Sequence, residues 1–130
     1  MTPEATDYLG KARQCLASAR AILAIKESND AGRDAYLAAF HAAQAFIFAG
    51  TGKIAKTHRG LHSEFARLAK DDPRIDKSFP VFLTQAYNLK AVADYEMGPG
   101  AVVPPERAAA AIETAARFID CIAGLIGEGS

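Results

Sequence analysis

The sequence predicts an all-α protein, an antiparallel four-helix up-and-down bundle with one short additional helix, and three observations carry that reading. Ala, Leu, Arg, Lys and Glu recur at helical spacing along the 130 residues. Apolar and polar residues nowhere alternate over four or more positions, and β-branched residues are sparse. Clusters of turn-forming residues cut the chain into five helical segments, four of them long.

The first helix runs from about Glu4 to Lys26, with Tyr8, Ala12, Cys15, Ala19, Ile22 and Leu23 on one face at spacings of three and four. Ser28, Asn29 and Asp30 break the chain and recap it. The second helix, about Ala31 to Ala49, is apolar nearly all round, through Tyr36, Leu37, Phe40, Ala43, Phe46, Ile47 and Phe48, which marks it as the central helix. Gly50, Thr51 and Gly52 end it, and Thr57 is an N-cap for a short third helix through Leu61, Phe65 and Leu68. The stretch DDPRIDKSFP, with its two prolines, reads as a loop. A fourth helix follows from about Val81 to Met97. MGPGAVVPP breaks the chain again, and Pro104 and Pro105 suit the start of a fifth helix, which carries Ala108, Ile112, Ala115, Ile119, Ile122 and Ile126 at near-heptad spacing to the end. The many alanines let helices approach closely.

The length fits one domain, residues 1–130, with no repeat, linker or low-complexity tract. Fifteen Lys plus Arg balance fifteen Asp plus Glu, so no summed field recruits nucleic acid or an anionic membrane, although a local patch still can. MTPEATDY has no apolar signal region, and the most apolar stretch, residues 35 to 50, contains His41 and Gln44 and is too short to span a bilayer. A soluble cytoplasmic protein is expected. Cys15 and Cys121 sit inside helical patterns and read as reduced, packed thiols, with a bridge between the terminal helices as the alternative.

Charged residues inside apolar faces single out the candidate site. At 100° per residue, Phe79, Phe82, Leu83, Ala86, Leu89, Ala93 and Met97 fill one arc of the fourth helix, and Lys90 falls within it. Asp94, one turn later, lies at its edge and Tyr87 beyond it. A buried ammonium needs a carboxylate partner, which Asp94 supplies; the alternative is a lysine stem that reaches out to the rim. On the second helix Arg33 and Gln44 project into the apolar face, with His41 at its margin. If the second and fourth helices are neighbours, Arg33, Tyr36, His41, Tyr87, Lys90 and Asp94 form one network lining a ligand-binding cleft, or else a satisfied polar network that orders a small core.

Other signals are weaker in kind. His58 and His62, four apart, have a spacing that ligates zinc, but Arg59 stands where the usual glutamate would be and no third ligand is evident, so surface or capping histidines are the expectation and no metal is assigned. GTGK, residues 50 to 53, lacks the spacing and preceding strand of a phosphate loop and reads as a helix stop. Lys53, Lys56, His58 and Arg59 make a local basic cluster, either a phosphate contact or a solvated loop.

The runs RDAYLAAFHAAQAFIFAGTGK, KTHRGLHSEF and LKAVADYE resemble the HEPN family (higher eukaryotes and prokaryotes nucleotide-binding domain), in its small stand-alone bacterial branch. The resemblance covers about residues 8 to 125 and is densest from 33 to 96. It implies a four- or five-helix bundle, frequently a homodimer, that often acts beside a small nucleotidyltransferase in toxin and antitoxin pairs. Active members of the family are metal-independent ribonucleases in which an Arg is followed four to six residues later by His. This chain departs from that motif: Arg33 precedes His41 by eight residues and Arg59 precedes His62 by three. Where related bundles have Arg ahead of an Ala-Asp-Tyr triplet, Lys90 precedes Ala93, Asp94 and Tyr95, and lysine lacks the planar fork that grips a phosphate in two places.

The expectation is therefore a non-catalytic or regulatory module without a cofactor, which binds a protein partner such as a nucleotidyltransferase, a nucleotide or RNA. One alternative is a divergent ribonuclease in which His41, Arg33 and Lys90 are the catalytic candidates. The other is a purely structural dimerisation module.

Overall fold

The computed structural model describes residues 2–95 and 102–127. The described residues form five helices: α1 (Pro3–Ala24), α2 (Ser28–Thr51), α3 (His58–Lys70), α4 (Ser78–Tyr95) and α5 (Pro105–Leu125). The all-α class is as expected, and so is the short third helix. Residues 97–101, on which the end of the fourth helix at Met97 and most of the second break were placed, lie outside the described residues, as does the chain end beyond Gly127.

α1, α3 and α4 start where a side chain satisfies free N–H groups, whereas α2 and α5 start without a side-chain cap. Thr2 Oγ1 accepts from the Ala5 N–H at 3.2 Å, with Pro3 in the first turn of α1. Thr57 Oγ1 accepts from the Gly60 N–H at 2.9 Å and fixes the start of α3. α4 begins ahead of Pro80 instead of after it. Asp76 accepts from the Ser78 N–H at 2.8 Å and from its hydroxyl at 2.7 Å, and a proline in the first turn removes an N–H that has no helical partner anyway. α2 stops at Gly52, whose φ of 74° is left-handed and whose N–H bonds to the Phe48 carbonyl.

The break between α1 and α2 is shorter than the sequence suggested. α1 ends at Ala24, Lys26 takes a φ of 68°, and Ser28 already belongs to α2. Ser28 and Asn29 do not recap the helix but fasten the segment before α5. The Ser28 hydroxyl donates to the Val103 carbonyl at 2.6 Å, and the Val103 N–H donates to Asn29 Oδ1 at 2.7 Å.

α2 is the central helix, packed against all four others, while α1 and α4 share no packing among the described residues. The four long helices thus make a bundle whose short diagonal joins α2 to α5, and α3 covers α2 and α4. The buried alanines of α2, among them Ala35, Ala38, Ala39 and Ala42, keep large side chains out of its interfaces. The core closes around Phe118, whose ring lies 5.1 Å from Phe65 and 4.8 Å from Phe79. Both cysteines are free. Among the described residues no helix is long and apolar enough to cross a membrane.

Candidate functional site

Tyr36 sits in the middle of α2, fully buried, and its hydroxyl reaches two imidazoles of α3. His58 Nδ1 and His62 Nε2 each lie 2.8 Å from it. The two histidines are one helical turn apart, and the Thr57 cap sets the register that turns both toward α2. Tyr87 of α4 closes the group edge-on to Tyr36, with ring centroids 5.5 Å apart, and Phe40 lies 4.7 Å from the His58 ring. A phenol has one hydrogen, so Tyr36 donates to one imidazole and accepts an N–H from the other. Burial, and then the charge of Lys90, lowers the pKa of His58; burial, and then His58, lowers that of His62. Burial, and then Tyr87, pushes the Tyr36 phenol far above its usual range. All three are neutral at neutral pH.

Toward the start of α2 and the end of α4 the seam becomes ionic. Lys90 Nζ donates to Asp94 Oδ2 at 2.6 Å, and Arg33 Nε donates to Asp94 Oδ1 at 2.9 Å. Arg33 also lies 3.6 Å from Asp34, whose other carboxylate oxygen accepts from the Ser18 hydroxyl. The Lys90 side chain is only 12 % exposed, so its charge is answered inside the seam by Asp94. The hydrogen bond from Lys90, followed by the Arg33 charge, holds the Asp94 carboxyl below the usual carboxylate range; the same bond raises the Lys90 ammonium.

Of the six residues expected in one network, five lie along this seam: Arg33, Lys90 and Asp94 in the ionic part, Tyr36 and Tyr87 in the aromatic part. His41 stands apart from the hydrogen bonding. Its Nδ1 is buried without a partner, and its ring meets Phe40 edge-on at 5.4 Å. Burial, then Lys11 and His58, lowers its pKa. Gln44 belongs to another job altogether, bonding both backbone groups of Ala55. The grooves between α4 and α5 and between α1 and α5 are lined by different residues, among them Phe82, Leu89 and Arg107 in the first and Arg20 and Ile112 in the second.

His58 and His62, expected at the surface or in a cap, are the inward-facing members that sequence reasoning missed. The signal was present in the spacing: His58, Leu61, His62 and Phe65 follow the i, i+3, i+4, i+7 pattern of one buried face. Their zinc-like spacing serves to grip Tyr36. Among the described residues no group of three His, Cys, Asp or Glu side chains is placed to hold a metal ion.

The family comparison matches the HEPN domain over residues 5–125. Among curated proteins no sequence matches the chain. A match of that extent takes in all of α2 to α5, nearly all of α1 and both parts of the seam, and the chain belongs to the HEPN family.

Proposed function

We propose that this HEPN module binds a phosphate-bearing ligand, a nucleotide or an RNA segment, along the α2–α3–α4 seam without cleaving it, in concert with a protein partner such as a small nucleotidyltransferase. The observation that carries the reading is the pair of imidazoles anchored on one buried hydroxyl. Their inner nitrogens are fixed by Tyr36, and neither outer nitrogen, His58 Nε2 or His62 Nδ1, is engaged by another described residue. The pair lies in the first turns of α3, where the helix dipole favours an anion, and exposed Lys56 and Arg59 flank it in the chain. The ionic part argues against cleavage. Arg33 and Lys90, the cations that a cutting site needs to hold a scissile phosphate, are both committed to Asp94, and His41 contributes a buried nitrogen.

Titration calorimetry with a nucleoside 5′-monophosphate tests the binding. His58→Gln is expected to weaken it by about tenfold, the worth of one hydrogen bond to a charged group. The same protein is expected to leave a structured RNA intact. Cleavage that vanishes in His41→Ala or His58→Gln, with the fold retained, would replace this reading with that of a divergent metal-independent ribonuclease. Sedimentation of the chain alone distinguishes a homodimer from a monomer that waits for its partner.

A further inference from the structure

We infer that His58, Tyr36 and His62 act as a single unit that binds a terminal phosphomonoester together with one proton. The inference rests on the phosphate-binding reading of the seam and adds the kind of phosphate and the proton count.

The count follows from the shared hydroxyl. Tyr36 has one hydrogen to give and is fully buried. The imidazole that accepts this hydrogen on its inner nitrogen carries its own hydrogen outside; the imidazole that donates its inner N–H to the phenol oxygen has a lone pair outside. The neutral unit thus presents one donor and one acceptor at its two outer nitrogens, and reversing the hydroxyl exchanges them. A phosphomonoester dianion offers acceptors only, so it satisfies the outer N–H and faces the lone pair. One proton on that lone pair turns both outer nitrogens into donors and leaves every bond to Tyr36 as it was. A second proton has only the inner nitrogen that accepts the Tyr36 hydrogen, where it would strand that hydrogen in a dry site. Uptake therefore stops at one. A monoanionic phosphomonoester carries the same proton itself, as P–OH, and needs none from solvent. A phosphodiester has no titratable proton and only one negative charge, so it gains less from the pair.

Near pH 7 the surroundings keep the unit neutral until a ligand arrives. From α4 it meets the Tyr87 ring and the charge of Lys90, which Asp94 in turn binds together with Arg33 of α2; His41 of α2 is coupled to His58, and Lys11 of α1 acts on His41. Lys90 opposes a proton on His58, and Asp94 offsets part of the combined charge of Lys90 and Arg33. An anion at the outer nitrogens reverses the balance at the pair alone.

Calorimetry of the whole chain with uridine 5′-monophosphate, in HEPES and in Tris buffers of different ionisation enthalpy, reads the proton count. The expected uptake is about one proton per ligand near pH 7.5, falling toward zero near pH 5, below the phosphate's second ionisation at about pH 6. Inorganic phosphate, which keeps its second proton to higher pH, is expected to show a smaller uptake at about pH 7.5 that rises toward one at more alkaline pH, and a dinucleotide without terminal phosphate to bind about tenfold more weakly. Equal binding of inorganic phosphate and the nucleotide assigns the whole recognition to the phosphate group; tighter nucleotide binding adds contacts from the rest of the seam without changing the count. His58→Gln with His62→Gln abolishes the uptake. Tyr36→Phe removes the stop after the first proton, so that on acidification the second imidazole of the free variant is protonated at higher pH than that of the parent, as followed by imidazole 15N shifts. Failure of any phosphate to bind would remove the ligand class itself. Binding without proton uptake near neutral pH, or uptake that survives in the double glutamine variant, would overturn this inference alone.

Discussion

Gln44 and Ala55 are joined by a reciprocal pair of hydrogen bonds: the Gln44 amide donates to the Ala55 carbonyl, and the Ala55 N–H donates back to the Gln44 amide oxygen, each at 2.9 Å. The buried amide thereby substitutes for a strand partner and holds the loop between α2 and α3 against the central helix. That loop delivers Thr57 and so sets the start of α3. Gln44→Leu keeps most of the side-chain volume but leaves two backbone groups without partners, and is expected to cost about 2–4 kcal/mol. Urea denaturation measures it; an unchanged midpoint would mean that water replaces the amide.

Asp94→Asn leaves the nearly buried Lys90 and the half-buried Arg33 without their common counter-charge. Because these side chains remain partly in contact with solvent, the expected loss is modest, about 1 kcal/mol. Its pH dependence is more telling. Asp94 is depressed in the fold, so its contribution is present above the ordinary carboxylate pKa and lost as pH falls through the folded value; Lys90 is raised, so its share is lost only as pH rises through the folded ammonium value. The stability difference between parent and variant should be level from about pH 5 to 9 and shrink on either side. A difference that vanishes at pH 7 would show the pair to be idle.

His41→Leu is expected to be neutral or stabilising, by up to about 1 kcal/mol at pH 7, since it removes a buried nitrogen that has no partner and keeps an apolar contact to Phe40. Thermal unfolding of the variant checks this. A loss of more than about 2 kcal/mol would mean that the imidazole makes a contact in solution that its buried nitrogen lacks here.

The helices were legible because their periodicity is strong, and the central place of α2 followed from its apolar residues on every side. Lys90 and Asp94 were legible as a pair because both lie on one helix, one turn apart, and Arg33 because a charge in an apolar face demands a partner. What sequence could not supply was the partner's address. Gln44 was grouped with Arg33 because both interrupt the same face, yet one meets a loop backbone and the other a carboxylate of α4. Ser28 and Asn29 were read as a break because such side chains ordinarily bond locally, whereas here they reach Val103, 74 and 75 residues away. His58 and His62 were hidden for the opposite reason: their polarity outweighed a spacing that follows the buried stripe.

The three histidines give the fold an acid-side weakness that can be separated from that of its carboxylates. His41, His58 and His62 all titrate below the ordinary imidazole range in the fold. Below about pH 6.5 the unfolded chain therefore binds more protons than the folded one, and stability falls with pH until the folded values are passed. The depressed carboxylates Asp72, Asp76 and Asp94 act lower down, with Asp72 held at about 2 by its hydrogen bonds from Arg74. Urea midpoints taken between about pH 7.5 and 5 should thus decline in the parent and stay nearly flat when His41→Leu, His58→Gln and His62→Gln are combined, provided that the variant is compared with itself across pH. Because the folded His58 and His62 share one hydroxyl and accept one proton between them, while the unfolded chain accepts two, restoring only that pair should recover part of the slope, and restoring His41 alone should recover the remainder. A triple variant that declines as steeply as the parent would place the acid sensitivity in other groups.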